Sequence, residues 1–228
     1  MRFSTQIFRL RTTVLTALPG PLLAVALLAL PAAAEPVRLM AFGDSLTHGY
    51  GLPAGETFPE QLETALRADG LEVTVLNAGN SGDTSAGGLA RLDWALADGP
   101  DAVILELGAN DGLRGLDPEA TYDNLDAILQ RLTAEGLPVL LAGMLAPPNL
   151  GREYGEAFNA VYPRLAEEHD VPLYPFFLDG VAANPKLNQA DGIHPNAAGV
   201  AEIVARIKPH VVRLLEAKDL AERPDAGN

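Results

Sequence analysis

Two short stretches, far apart in the chain, carry residues that could act together in nucleophilic catalysis. Ser45 lies in the stretch GDSL at 43–46, and Asp191 precedes His194 by three positions. That spacing can bring the carboxylate against one imidazole nitrogen and leave the other nitrogen free to act as a base towards a serine hydroxyl. A turn would account for Asp191, and helix capping would account for Asn196. Neither explains the histidine.

Few other residues compete for these roles. After residue 34 the chain has three serines, and Ser45 is the one predicted to stand where a strand turns into a helix, a position that favours an attacking hydroxyl. Of the four histidines, His169 follows acidic residues at a predicted helix end and His210 lies inside the last predicted helix, so both are interpreted as structural. His48 fits either a surface position or a wall of the cleft.

Two further loops have unusual glycine and amide content. Gly79 lies in the loop after the second predicted strand, and Asn110 lies in the loop after the third. Ligands of a parallel sheet bind outside the carboxyl ends of the strands, where such loops converge. The sequence therefore predicts that these loops meet Ser45 and His194 at one crevice.

The elements that must position these residues are alternating strands and helices. The predicted strands are 37–42, 73–77, 102–107, 139–143 and 171–175, and the predicted helices are 58–68, 86–97, 119–134, 153–168 and one beginning near Asn196. This alternation predicts one α/β domain over 35–219, a three-layer αβα sandwich around a central, mostly parallel five-stranded sheet of flavodoxin-like type. Pro209 predicts a kink or a new start in the last helix, and 220–228 a polar tail.

Residues 1–34 have the pattern of a secretory signal peptide. Three arginines and no acidic residue accompany an apolar segment over 14–30, and three alanines end the stretch at Ala34. A membrane anchor is the competing interpretation, but proline and glycine keep the apolar run below the roughly 20 residues that a spanning helix needs. We expect cleavage after Ala34, no stable membrane insertion of the mature chain, and a periplasmic or secreted protein.

The predicted mature chain is strongly acidic. It has 13 basic and 30 acidic residues, a net charge of −17. Such a surface repels nucleic acid and anionic membranes, so nucleic-acid binding is not expected, and the acidity is interpreted as a solubility feature. The chain has no cysteine, which excludes thiol nucleophiles, thiolate metal sites and disulfides.

The order and spacing of GDSL at 43–46, Gly79, Asn110, Asp191 and His194 resemble those of the SGNH (GDSL-type) hydrolase family. The resemblance covers nearly the whole predicted mature chain, and its details are most similar to the acyl-thioesterase I, lysophospholipase L1 and arylesterase branch. The Gly-x-Ser-x-Gly elbow of the ordinary α/β-hydrolases is absent, which favours the SGNH family.

The resemblance implies a role for each of these residues. Ser45 would attack an acyl carbonyl, His194 would take its proton, and Asp191 would hold the imidazole in the required tautomer. The backbone N–H groups of Ser45 and Gly79 and the side-chain amide of Asn110 would form the oxyanion hole. Water would hydrolyse the acyl-enzyme, and neither a metal nor an organic cofactor is needed.

The implied substrate is a small-molecule acyl or aryl ester, with a thioester as a further option. Lysophospholipids and acetylated carbohydrates are alternatives that the same mechanism could serve. Apolar loop residues could contact the acyl group or could simply pack beneath the loops. The candidate substrate-contact residues are Leu113, Met144, Leu145 and Pro147.

Two other classes of protein remain to be tested. One is a metal-dependent phosphoesterase, although the clustered histidines and early Asp-x-His of such centres are missing. Its candidate ligands would be Asp44, His48, Asp111, Asp191 and His194. The other is an exported binding module without activity, against which the presence of Ser45, Asn110 and His194 argues. Outside the metal hypothesis, Asp44 and Asp111 are interpreted as residues that stabilise their loops.

Overall fold

The computed structural model describes the backbone of residues 35–222 and the side chains of residues 35–218. The predicted signal peptide, 1–34, and residues 223–228 of the predicted tail lie outside the described residues. Within the described part of the chain, no helix is both long and apolar enough to cross a bilayer.

Five strands form one sheet, and every neighbouring pair is parallel. The strands are β1 (Val37–Gly43), β2 (Val73–Gly79), β3 (Ala102–Glu106), β4 (Val139–Ala142) and β5 (Leu173–Tyr174), in the order β2-β1-β3-β4-β5. All residues of β3 and β4 are buried, as expected for strands covered on both faces. β5 is shorter than predicted, because Pro172 and Pro175 flank it and cannot donate ladder hydrogen bonds.

Helices cover both faces of this sheet. They are α1 (Ser45–His48), α2 (Phe58–Ala68), α3 (Ser85–Leu96), α4 (Ala109–Arg114), α5 (Pro118–Ala134), α6 (Arg152–Asn159), α7 (Val161–Glu168) and α8 (Ala197–Glu222). α2 packs against α8 on one face, while α3, α5 and α7 pack side by side on the other. The predicted three-layer α/β fold is confirmed, with a sheet that is parallel throughout.

The starts of the long helices follow from local sequence. Thr57 and Glu60 form a capping box at α2, and Asp117 caps α5. Asn196 Oδ1 accepts the N–H of Gly199 at 3.0 Å, which confirms its predicted capping of α8. These bonds satisfy N–H groups that have no acceptor within the helix.

Two helix predictions differ from the structure. The segment predicted as one helix over 153–168 is divided at Ala160 into α6 and α7. Pro163 explains the division, since proline lacks an N–H and its ring clashes with the carbonyl four residues earlier. Pro209 does not divide α8, which continues through it, so the predicted new start is wrong. α8 reaches Glu222, so the first residues of the predicted tail are helical.

Candidate active site

Ser45 begins α1 directly after the end of β1. Asp44 caps this short helix, with its Oδ1 accepting the N–H of Leu46 at 2.9 Å. The turn requires Gly43, because a Cβ there would lie 2.6 Å from the backbone oxygen of Glu106. The Ser45 N–H belongs to the first turn of α1, where no helical carbonyl can accept it. Ser45 therefore presents both a hydroxyl and an N–H at the edge of the sheet.

His194 lies against Ser45, with its Nε2 2.9 Å from the Ser45 Oγ. Its Nδ1 is 2.7 Å from Asp191 Oδ2, and Asp191 Oδ1 accepts the N–H groups of Ile193 and His194 at 2.9 and 3.0 Å. The bond from the His194 side chain, followed by these backbone bonds, lowers the pKa of Asp191 to about 2. An ionised Asp191 accepts from Nδ1–H, which leaves Nε2 unprotonated, so the Ser45 hydroxyl donates to it.

Gln189 holds the loop that carries His194. Its backbone N–H donates to the His194 carbonyl at 2.7 Å, and its side-chain amide donates to the carbonyls of Pro195 at 2.9 Å and Tyr50 at 2.7 Å. The Tyr50 ring in turn contacts the imidazole, with ring centroids 4.6 Å apart. Sequence reasoning missed both residues, because no motif connects Gln189 to a tyrosine 139 positions earlier.

Asn110 is positioned by α4, which follows β3. Gly108 begins this turn at a φ of +109°, a conformation that glycine adopts readily. The Asn110 Nδ2 donates to the Asp83 carbonyl at 2.9 Å and to Asp44 Oδ2 at 3.1 Å. The amide thus lies between the loop after β2 and the carboxyl group next to Ser45.

Gly79 is not placed as the sequence analysis predicted. Its N–H donates to Asn77 Oδ1 at 3.0 Å, so this amide is not free to bind an oxyanion. A Cβ at Gly79 would lie 2.2 Å from the backbone nitrogen of His48, and glycine is needed here for close packing of β2 against α1. The His48 side chain is exposed, with its Nδ1 3.2 Å from the Gly79 carbonyl oxygen.

Gly82 has the free amide that Gly79 lacks. Its φ is +88°, its carbonyl accepts from Arg114 Nη2 at 2.9 Å, and its N–H has no acceptor within residues 35–222. The carbonyl of the next residue, Asp83, accepts from the Asn110 amide, which connects Asn110 to the part of the loop that contains Gly82. Sequence analysis missed Gly82, because two glycines in one loop differ only in the hydrogen bonds that the fold gives them.

The Arg91 side chain holds the loop after β2 in place through hydrogen bonds. Its guanidinium donates to the carbonyls of Gly43 at 2.8 Å and Ala78 at 2.9 Å, and to Asp83 Oδ2 at 2.5 Å. Its Cζ also lies 4.2 Å from the centroid of the Phe42 ring. One side chain therefore connects the ends of β1 and β2 to the residue whose carbonyl holds Asn110.

Two buried carboxyl groups lie beneath Ser45. Glu106 Oε2 accepts from Thr47 Oγ at 2.7 Å and, more weakly, from the Asp44 N–H at 3.4 Å, whereas Oε1 has no partner among the described residues. Burial, reinforced by the neighbouring Asp44 carboxyl group, raises the pKa of Glu106 well above its ordinary value. Burial also raises the pKa of Asp44 to about 6, against hydrogen bonds from Leu46 and Asn110 that lower it. The sequence analysis did not identify Glu106.

The remaining polar candidates have structural contacts. Asp111 accepts two hydrogen bonds from the buried Ser85, one from the Ser85 N–H at 2.8 Å and one from the Ser85 hydroxyl at 2.5 Å. These bonds confirm that Asp111 stabilises its loop. His169 pairs with Asp126 at 2.7 Å, as expected of a structural histidine. In the described chain, no three His, Asp or Glu side chains form a group that could hold a metal ion, so the candidate phosphoesterase ligands do not assemble into such a centre.

The predicted substrate-contact residues differ in accessibility. Leu113 and Leu145 are 49% and 47% exposed, and Pro147 is half-buried. Met144 follows the buried strand β4 and is part of the core, at 2% exposure. The prediction for Met144 is therefore corrected, because a core side chain cannot line an accessible wall.

The chain is similar to known proteins over the whole of this region. Residues 41–201 match the model of the GDSL-like Lipase/Acylhydrolase family. Esterase TesA of Pseudomonas aeruginosa is 43% identical over 194 residues, 85% of this chain and 96% of that protein. Thioesterase 1/protease 1/lysophospholipase L1 of Escherichia coli K12 is 46% identical over 177 residues, 77% of this chain and 83% of that protein.

The chain is also similar to a solved structure of this family. The crystal structure of AlinE4, an SGNH-hydrolase family esterase, is 48% identical with a TM-score of 0.68, and the match covers 81% of this chain and 99% of that chain. Together, these matches span the loops that carry Ser45, Asn110 and His194.

Proposed function

The chain belongs to the GDSL-like lipase/acylhydrolase (SGNH) family and is a serine hydrolase that cleaves esters, and from this premise we propose that Ser45, His194 and Asp191 are its catalytic triad. One observation carries the proposal: a continuous hydrogen-bond chain runs from Asp191 Oδ2 through the imidazole to the Ser45 Oγ, with distances of 2.7 and 2.9 Å. The Ser45 hydroxyl is thus within proton-transfer distance of the His194 base, and the Asp191 carboxylate is close enough to orient the imidazole.

In the first step, the Ser45 Oγ attacks the ester carbonyl carbon while its proton moves to His194 Nε2. The ionised Asp191 stabilises the resulting imidazolium through the Nδ1–H bond and keeps the proton of that bond on the ring. The tetrahedral intermediate then breaks its bond to the alcohol oxygen, which takes the proton from Nε2 and leaves. A water molecule repeats the sequence on the acyl-enzyme and releases the acid, which returns Ser45 to its hydroxyl form.

The negative oxygen of the intermediate is bound by the N–H groups of Ser45 and Gly82 and by the Asn110 amide. Gly82 takes the role first given to Gly79, because its N–H has no acceptor among the described residues. Both Asn110 hydrogens point to protein oxygens, and the bond to Asp44, at 3.1 Å, is the longer. The oxyanion shares the hydrogen of this longer bond as its charge develops.

We propose that the acyl group contacts the exposed apolar side chains of Leu113 and Leu145 and the half-buried Pro147. Small-molecule sites are mostly lined by apolar groups, which supports apolar acyl or aryl esters as substrates. The name of the Escherichia coli relative includes thioesterase and lysophospholipase. We extend the proposal to those substrates, since both present the same carbonyl carbon to Ser45.

We also propose that the protein is exported to the periplasm or beyond. The proposal is supported by the arginines, the apolar segment and the terminal alanines of residues 1–34. N-terminal sequencing of the protein isolated from its native host should begin at Glu35. A mature chain that still begins at Met1 would contradict export by cleavage.

The triad is tested by covalent labelling together with ester hydrolysis. A serine-directed phosphonate should label one residue, Ser45, and abolish hydrolysis of p-nitrophenyl esters. Ser45→Ala, His194→Ala and the double variant should lose similar activity, on the order of 10⁶-fold in kcat, because the members of such a unit act together.

Ser81→Ala is the matched control, because this serine is exposed on a neighbouring loop and has no side-chain bond among the described residues. It should keep both labelling and activity. An active, labelled Ser45→Ala variant would overturn the assignment.

A further inference from the structure

The aromatic ring of Tyr50 lies beside the catalytic base and is open to solvent. Its centroid is 4.6 Å from that of the His194 imidazole, with the two planes tilted by 38°. The residue is 52% exposed, although it touches a site whose histidine side chain is only 18% exposed. One part of the ring is thus used to contact the imidazole, and the rest is accessible.

Backbone contacts fix Tyr50 relative to both reacting groups. Its N–H donates to the Ser45 carbonyl at 3.1 Å, which places it on the turn of the nucleophile. Its own carbonyl accepts from Gln189 Nε2 at 2.7 Å, and the Gln189 N–H donates to the His194 carbonyl at 2.7 Å. The backbone that carries the ring is therefore held by the loops of Ser45 and His194.

The proton transfer decides which part of an ester this ring faces. His194 Nε2 must pass its proton to the alcohol oxygen, so that oxygen comes to within about 3 Å of Nε2. The carbonyl oxygen points instead to the donors of Ser45, Gly82 and Asn110. The alcohol portion of the ester consequently lies on the His194 side, where the Tyr50 ring contacts the imidazole. A second aromatic ring interacts favourably with such a ring when the two centroids are roughly 4.5–7 Å apart.

We propose that Tyr50 is a specificity-determining residue that contacts the alcohol portion of the ester and selects aromatic alcohols. The inference rests on the proposed function, because it uses the direction of proton transfer from His194. An aryl group gains an offset or edge-to-face contact with the open part of the ring, whereas a saturated ring of similar size gains only apolar contact. The preferred substrates are therefore esters of phenols.

The test compares phenyl acetate with cyclohexyl acetate. Both esters form the same acetyl-enzyme, so deacylation cannot affect the ratio of their kcat/KM values, and the intrinsic reactivities of the two alcohols cancel when variants are compared with wild type. Tyr50→Leu should lower the phenyl-to-cyclohexyl ratio about 3- to 10-fold, which corresponds to the usual range for an aromatic pair. Tyr50→Phe should keep the wild-type ratio, because it keeps the ring.

Trp94→Leu is the matched control. It removes another exposed aromatic ring, 74% exposed on α3, that makes no ring contact with His194, and it should leave the ratio unchanged. If Tyr50→Leu slows both esters equally, Tyr50 only supports the imidazole and the proposal is overturned. Phosphonate labelling of wild type and of Tyr50→Leu distinguishes the Tyr50 proposal from the triad proposal. A Tyr50→Leu variant that is labelled but keeps the wild-type ratio rejects only the role of Tyr50. A wild-type protein that is not labelled rejects the triad itself.

Discussion

Three carboxyl groups lie around Ser45 in two sets: Asp191 alone, and the pair Asp44 and Glu106. Their surroundings shift the pKa values of the two sets in opposite directions. The Asp191 side chain is 36% exposed, and its pKa is lowered to about 2. Asp44 and Glu106 are fully buried beneath the same turn, and both of their pKa values are raised. Asp191 lies at the protein surface, and Asp44 and Glu106 lie in the interior.

Burial is the main cause of the raised pKa values of Asp44 and Glu106, whereas hydrogen bonds are the main cause of the lowered pKa of Asp191. Asp191 accepts from the imidazole and from two backbone N–H groups, whereas Glu106 receives one hydroxyl bond and one contact of 3.4 Å. A carboxylate with several donors keeps its charge, while a buried one with few donors favours its neutral form. In the proposed mechanism the negative charge that orients the imidazole is thus held on the exposed Asp191, while burial favours the neutral forms of the pair beneath Ser45, that of Asp44 up to about pH 6.

Among the substitutions that distinguish these two sets of carboxyl groups, Asp191→Asn should have the largest effect on activity. The amide keeps the size of the carboxylate but cannot hold the Nδ1–H tautomer, so kcat for p-nitrophenyl acetate should fall on the order of 10⁴-fold. The melting temperature should change far less than kcat does, because the amide oxygen can still accept the N–H groups of Ile193 and His194. A large loss of melting temperature together with activity would place Asp191 with the structural carboxyl groups and break the comparison.

The control for this loss of charge is Asp179→Asn. Asp179 is another exposed carboxylate, 57% accessible, and it pairs with Arg206 at 2.6 Å. Such surface pairs contribute little to stability, so both kcat and melting temperature should stay close to wild type.

Asn110 touches both the proposed oxyanion site and Asp44, and its substitution gives the next largest effect. Asn110→Ala removes one donor and should lower kcat by about 10²–10³-fold, or about 2.7–4 kcal/mol. Asn110→Asp should lower it further at pH 8, because a carboxylate there repels the developing oxyanion and also replaces the N–H that Asp44 accepts at 3.1 Å. The measurement is kcat and melting temperature for both variants at pH 8.

If Asn110 only shaped its loop, the two variants would show similar, modest losses that follow their stability. An Asn110→Asp enzyme with wild-type kcat would remove this residue from the oxyanion hole.

The smallest expected effect on activity is that of Glu106→Gln, which acts on the pH dependence of stability. A carboxyl group with a raised folded-state pKa stabilises the fold fully at pH values below its unfolded pKa, near 4.3, and loses this contribution as pH rises through the folded pKa. Asp44 acts in the same direction up to about pH 6. Asp191 acts in the opposite direction, since its contribution is lost only as pH falls towards 2.

The glutamine variant cannot ionise, so its melting temperature should fall less than that of wild type between pH 5 and pH 8. One kcal/mol corresponds to about 2–4 °C for a chain of this size, so the divergence is measurable by thermal unfolding at pH 5, 6.5 and 8. A constant offset between the two curves would show that Glu106 does not titrate differently in the folded state.

Sequence patterns predicted those parts of the site that depend on residue type and chain order. The contacts of His194 with Ser45 and Asp191 could be predicted because Ser45 follows the first strand and Asp191 precedes His194 by three residues. The parallel sheet could be predicted because buried strands of this kind are apolar on both faces. Gly82 and Gly79 could not be told apart, since their difference lies in whether Asn77 reaches the amide.

Glu106 and Tyr50 were missed for a related reason. Glu106 ends an apolar strand, and only the packing of α1 above it shows that the carboxyl group is enclosed with Asp44. The Tyr50 ring contacts the imidazole and its carbonyl accepts from Gln189, and both contacts depend on how two distant loops dock. Partners across the fold are a property of the tertiary structure, and periodicity along the chain contains little information about them.

The hydrogen bond between Ser45 and His194 joins residues 149 positions apart, from the first strand to the loop before the last helix. During synthesis, the nucleophile emerges when most of the sheet is still unmade, and the base emerges when the sheet is complete. Closing so long a loop costs entropy that only the finished core can offset. Formation of the proposed triad therefore requires the loop before α8 to dock against the start of α1, and a chain that ends before His194 lacks the base that the proposed mechanism uses.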